Sequence, residues 1–214
     1  MKLSALDEEQ IQAILRLAAS QLALKQHRQA YKTYDSILKI IPAHAEALFG
    51  QAQVAKGQKK RKLEIRYLQE LLSVHPYHQA AALELANTAP IESIPYLEAC
   101  LESHPTDPLL LLKLGQILLL AHRFESARFH LEQLLRFQPD SHQAAEAWLE
   151  LAHLALRTGE LADAVKGFER AVALNPALKQ DPRYVNLESK WKSIETQHQQ
   201  LDLSELWQKI ESSS

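Results

Sequence analysis

Residues 161–176 read LADAVKGFERAVALNP. Ala164, Phe168 and Ala171 recur at spacings of four and three residues, which places them on one face of a helix. Asn175-Pro176 stops that helix, because proline has no N–H to continue the ladder. A stripe of two small residues around one aromatic is built to lie against another helix.

The ending returns along the chain as Ile41-Pro42, His75-Pro76, His104-Pro105 and Gln138-Pro139, each closing a segment of helical periodicity. The five prolines fall 34, 29, 34 and 37 residues apart, a repeat of about 34 residues. Twelve positions before each proline stand Ala30, Glu64, Ser93, Ala127 and Ala164. Eight positions before stand Tyr34, Leu68, Leu97, Leu131 and Phe168, and five before stand Ile37, Leu71, Cys100, Leu134 and Ala171. The first half of each unit carries Ala18, Ala52, Ala86, Gly115 or Ala152, all small, so that a second helix can approach closely. Ahead of these come Ile14, Leu48, Ala82, Leu111 and Trp148, then Leu17, Gln51, Leu85, Leu114 and Leu151.

With these residues the chain resembles the tetratricopeptide repeat family, and its fifth unit carries the pattern best, as Trp148, Leu151, Ala152, Ala155, Ala164, Phe168, Ala171 and Pro176. The resemblance implies an all-α fold, a right-handed α-solenoid of about five helix-turn-helix units over residues 8–178, with units at about 11–44, 45–78, 79–107, 108–141 and 142–178. Three departures are visible. The third unit is five residues short around "NTAPIESIP", where Pro90 is expected to end the first helix and Pro95 to sit in the first turn of the second. In the second unit Glu64 replaces the small residue, so its carboxylate is expected to swing to solvent or spread the helices. The fifth unit is preceded by three extra residues in "QPDSHQAAE", which lengthen a turn or the start of a helix.

Past the repeats, Asp181-Pro182 opens a predicted capping helix within 179–200, with Tyr184, Leu187, Trp191, Ile194 and His198 as its stripe. Residues 201–214 hold a second start signature, Asp202 with Glu205, followed by Leu203, Leu206, Trp207 and Ile210 on one face. So short a helix needs a surface to dock on.

Composition narrows the function classes. The 214 residues are 46% hydrophobic and 23% charged, with a net charge of -2, which suits a globular protein and gives no global field for nucleic acid or an anionic membrane. "MKLSALDEEQ" lacks an apolar core of signal-peptide length, and the longest apolar stretch, Leu109 to Ala121, contains Lys113 and Gln116, so a cytoplasmic protein is expected. The five glycines form no phosphate loop, and neither G-x-S-x-G nor H-E-x-x-H occurs. His75 and His78 are close enough to share a metal, but His75, like His104, is the residue before a closing proline and no third ligand stands nearby. Cys100 takes a packing position and reads as an inert buried thiol. No catalysis, cofactor or metal is expected.

Two surfaces remain. In the tetratricopeptide family the first helix of each pair lines the concave face, and there the residue one step past the Ile14 to Trp148 series gives an apolar row: Leu15, Phe49, Leu83, Leu112 and Leu149. Beside it run Ala19, Gln53, Asn87, Gln116 and His153, then Leu22, Lys56, Pro90, Leu119 and Leu156. An apolar row next to side-chain amides suits a hydrophobic or amphipathic peptide, while some of these leucines could instead pack under the neighbouring repeat. The family's carboxylate clamp for chaperone C-termini is absent, because its positions hold Leu15, Ala19, Ala80 and Glu84. The second surface is the turn "KGQKKRK", with Lys56, Lys59, Lys60, Arg61 and Lys62. It reads as a solvated turn offset by Glu64 and Glu70, or as a site for phosphates of nucleic acid or lipid. The expectation is a non-catalytic scaffold for a protein or peptide partner. The alternative is a homo-oligomer assembled through residues 202–211, and a lesser one is anion binding at the basic turn.

Overall fold

The computed structural model describes residues 7–180 together with 185, 189, 192, 193 and 196; the side chain of Leu161 is outside this set. The described residues form ten α-helices and no strand. They divide into two compact units, one up to His122 and one from Arg123, so the division falls within the turn of the predicted fourth repeat.

The first unit contains α1 (Glu8–Ala23), α2 (His27–Leu38), α3 (Ala45–Gly57), α4 (Arg61–Val74), α5 (Gln79–Thr88), α6 (Pro90–Ser103) and α7 (Pro108–Leu120). Each packs on the next in chain order, and α1 also touches α3 as α5 touches α7. The second unit contains α8 (Phe124–Phe137), α9 (His142–Thr158), α10 (Leu161–Leu174) and a 3-10 turn at Pro176–Gln180, with α9 packed on both α8 and α10.

Two recurring devices set the helix boundaries. The first helix of a pair is capped by the residue two past each closing proline: His44, His78, Asp107 and Ser141 accept a hydrogen bond from the backbone N–H of Ala47, Ala81, Leu110 and Ala144. Asp7 does the same for α1, in a capping box with Gln10. The second helix is entered through a left-handed residue: Lys25, Lys59 and His122 have φ of 58° and Gly159 has φ of 84°. The following N–H of Gln26, Lys60 and Glu160 then donates to the carbonyl five residues back, at Gln21, Ala55 and Ala155, which closes the preceding helix as a Schellman turn.

The repeat offsets coincide with burial. Ala30, Ser93, Ala127 and Ala164 are buried, as are Leu68, Leu97, Leu131, Ile37, Leu71, Cys100, Leu134 and Ala171. Where two rings need more room, a glycine faces them: Gly50 lies under Tyr34 and Gly57 under His27. The third unit differs from expectation. Helix α6 begins at Pro90, whose missing N–H is an orphan of the first turn in any case, and Pro95 lies inside the helix. The carbonyl that Pro95 leaves without a donor belongs to Ile91, which is exposed, so solvent can satisfy it. The predicted helix over 182–198 falls largely outside the described residues, although Val185, Ser189, Lys192, Ser193 and Thr196 are each helical. The predicted helix over 202–211 lies entirely outside them.

Candidate functional site

In the first unit the predicted apolar row splits. Leu15 is only 6% exposed and belongs to a core cluster with Ile11, Ala18, Ala30, Tyr34 and Val54. Leu112 is 8% exposed. Both are corrections to the groove assignment. A helix in a stacked array packs against its own partner and against the following pair, so its buried sector is wider than one stripe, and a step of about 100° past the packing position still falls beneath a neighbour. Val54, on α3, belongs to the same buried cluster as Leu15.

Phe49 and Leu83 remain half-buried, and beside them Gln53 is half-buried and Asn87 exposed. Two contacts hold α3 alongside α5. The Phe49 ring lies 5.4 Å from that of His78, the cap of α5, and two turns further on Lys56 Nζ pairs with Glu84. The result is a face with an aromatic and a leucine in reach of solvent and two side-chain amides next to them. Gln116 and Leu119 are half-buried on α7.

The basic turn is partly committed to structure. Lys56 is tied to Glu84, and the Arg61 guanidinium donates to the carbonyl of Thr88. Lys59 is the left-handed residue of the turn and Lys60 precedes α4; with Lys62 they are exposed. Beneath this network lies Glu64, only 5% exposed, so its carboxylate has not swung to solvent. Burial raises its pKa first and Glu84 adds to the rise, with Lys56 and Arg61 opposing it. A carboxylate whose pKa is raised on folding favours the folded state below its unfolded range and loses that contribution as pH rises through the folded value. Glu64→Gln is therefore expected to raise the thermal midpoint by a few degrees at pH 7, with the gain vanishing as pH falls toward 4. Melting curves of both proteins across that range test it.

In the second unit Leu149 is 0% exposed, in a cluster with Ala145, Ala152, Phe168, Ala171 and Leu178. Here too the groove assignment is corrected, because the α10 aromatic and the turn after it cover that side of α9. His153 stands edge-on to Phe168 at 6.2 Å, and Leu156 is half-buried against the same cluster. On another side of α9 a cavity of about 770 Å³ opens between α8 and α10. Trp148 and Leu151 of α9 form its floor, and both walls carry charges of both signs, Arg128 and Glu132 on α8 and Asp163, Lys166, Glu169 and Arg170 on α10. Arg128 is bonded through its Nη2 to both carboxylate oxygens of Glu160, at 2.9 and 3.1 Å, and Arg157 covers the Phe124 ring at 4.7 Å. The sequence reading missed this cavity, which draws on three helices and residues that share no period. At Gly167 a Cβ would stand 2.9 Å from Ala152 Cβ and 3.1 Å from the Trp148 carbonyl oxygen, so this glycine lets α10 lie close on α9.

The histidines and the thiol have structural partners. His75 Nε2 lies 2.9 Å from the carbonyl oxygen of Ala43, and His78 caps α5. Cys100 is buried, its pKa raised by burial and then by Asp107, and its Sγ donates to the Pro76 carbonyl at 3.7 Å. Among the described residues no three His, Cys, Asp or Glu side chains gather as a metal site, and no helix is long and apolar enough to cross a membrane.

Residues 12–42, 89–146 and 145–182 each match the sequence family described as tetratricopeptide repeat. Among curated proteins, "Tetratricopeptide repeat protein 8" of Caenorhabditis elegans is 23% identical over 181 residues; the match takes in 81% of this chain but only 35% of that protein. Among solved structures, YrrB, described as a TPR protein with an unusual peptide-binding site, superposes with a TM-score of 0.67 at 16% identity, covering 82% of this chain and 90% of its own. MamA 41-end from Desulfovibrio magneticus RS-1 gives 0.66 at 14% identity, covering 83% and 99%. At these identities the likeness is one of fold.

Proposed function

As the chain belongs to the tetratricopeptide repeat family, we propose that it is a non-catalytic protein-interaction scaffold that takes a hydrophobic or amphipathic peptide segment on the first helices of its repeats. What supports this reading is the α3 and α5 face, where Phe49 and Leu83 stay within reach of solvent beside Gln53 and Asn87. Apolar side chains of a bound segment bury on the first pair, and the amides pair with its backbone. The peptide-binding description of the YrrB fold relative is in keeping with that use of the scaffold.

Affinity capture from a native lysate, comparing wild type with Phe49→Glu/Leu83→Glu, tests the proposal. Both positions are half-exposed, so the variant is expected to keep its helical circular dichroism while partner recovery drops at least about tenfold, the effect of removing two apolar anchors. Full retention of every captured protein by a folded variant would overturn the reading.

A further inference from the structure

We infer that one edge of the first unit, formed by the turns that join the first helix of each pair to the second, is a docking surface for an anionic lipid bilayer, independent of the α3 and α5 face. Each connection reverses the chain, so the turns after α1, α3, α5 and α7 fall on the same edge. Neighbouring turns are tied together. The His27 ring of the first lies over Gly57 of the second, and Arg61 of the second donates to the Thr88 carbonyl of the third.

Two kinds of side chain meet along this edge. Lys25 and Arg28 in the first turn, with Lys59, Lys60 and Lys62 in the second, are exposed and have no hydrogen-bond or ion-pair partner among the described residues. Of the acids nearby, Glu84 is paired with Lys56 and Glu64 is buried, which leaves Glu92, bonded to Gln69, as the exposed acid of these turns. Lys60 and Lys62 open α4, where the helix dipole favours acids, so helix stability does not account for them. The same turns present aliphatic side chains to solvent: Leu24 is 67% exposed, Ile91 54% and Leu120 66%. Leu24 and Leu120 are the most exposed large hydrophobics among the described residues.

A bilayer uses both kinds. Each basic residue beside anionic headgroups is worth about fivefold in affinity, and aliphatic side chains enter the boundary between headgroups and acyl chains. A nucleic acid would use the cations alone, since none of these turns holds a Phe, Tyr or Trp to stack on a base and the leucines meet nothing on a phosphate backbone. The opposite edge carries Glu8, Glu9 and Glu46 at the starts of α1 and α3, and its sign turns it away from such headgroups. The net charge of -2 does not cancel the attraction, because exposed charges more than about 8 Å away are largely screened at physiological salt.

Sedimentation of the full-length protein with vesicles tests this. Binding is expected to vesicles of phosphatidylcholine mixed with phosphatidylserine and not to phosphatidylcholine alone, and it is expected to fall steeply with added salt. Lys59→Gln/Lys60→Gln/Lys62→Gln should weaken it about a hundredfold, three steps of about fivefold. Leu24→Gln/Leu120→Gln should weaken it at least about tenfold at unchanged charge. All five side chains are exposed, so both variants are expected to keep the wild-type circular dichroism. No sedimentation with either kind of vesicle, or equal sedimentation with both, overturns the proposal, as does wild-type binding by either variant. Duplex DNA is the counter-probe: a DNA complex that the leucine pair leaves unchanged, without vesicle binding, would assign the edge to nucleic acid instead.

Discussion

Leu149→Glu is expected to unfold the second unit, at a cost of at least about 4 kcal/mol, the range that burial of an unpaired charge reaches. The side chain is fully buried among the apolar side chains of Ala145, Ala152, Phe168 and Leu178. Leu149→Ala, which only removes volume, is expected to cost roughly 2–5 kcal/mol at the same place. Limited proteolysis provides a local readout: cleavage within residues 142–178 should appear in Leu149→Glu under conditions where wild type and Phe49→Glu/Leu83→Glu resist. A folded Leu149→Glu with the wild-type melting midpoint would instead place that side chain on an open surface. The contrast decides how binding data are read, since loss of a partner in Leu149→Glu reports unfolding, whereas loss in the Phe49 and Leu83 variant reports a missing contact.

The parts of this fold that were legible in the sequence are those where one residue does one job in every copy. The closing prolines end helices wherever they stand, and the small and large residues at fixed distances before them are buried, because a helix pair can close only if both conditions recur together. The apolar row was less legible, since leucine at a surface and leucine beneath a neighbouring helix look alike in one dimension. Leu15, Leu112 and Leu149 are buried, whereas Phe49 and Leu83 in the same row are only half-buried. The helix starts hide in a different way: Asp107 and Ser141 are ordinary capping residues, but His44 and His78 cap through Nδ1, and histidine is not a residue that capping patterns look for. Pro95 misled for a third reason. A proline far from the start of a helix is costly on average, yet here the carbonyl it orphans belongs to an exposed residue.

Gly50→Ala is expected to destabilise the first unit by roughly 1–3 kcal/mol, the usual cost of overpacking a filled core. The sign is informative because helix propensity alone points the other way, favouring alanine over glycine by about 1 kcal/mol inside a helix such as α3. A Cβ on Gly50 would lie within 2.6 Å of Cζ, Cε1 and Cε2 of the Tyr34 ring, and that ring is itself buried between α2 and α3, so it has little room to retreat. Tyr34→Ala removes the ring and opens a cavity, at about 3–5 kcal/mol by analogy with other aromatic truncations. In that background Gly50→Ala should turn from destabilising to neutral or mildly stabilising, since the added methyl meets empty space and propensity is all that remains. The two substitutions must therefore couple strongly in a double-mutant cycle measured by urea denaturation. Additive effects would mean that Gly50 is kept for a reason other than the ring above it. A sign reversal would tie α3's glycine to α2's tyrosine as a single packing unit, the means by which one helix pair of this array fixes its distance from the next.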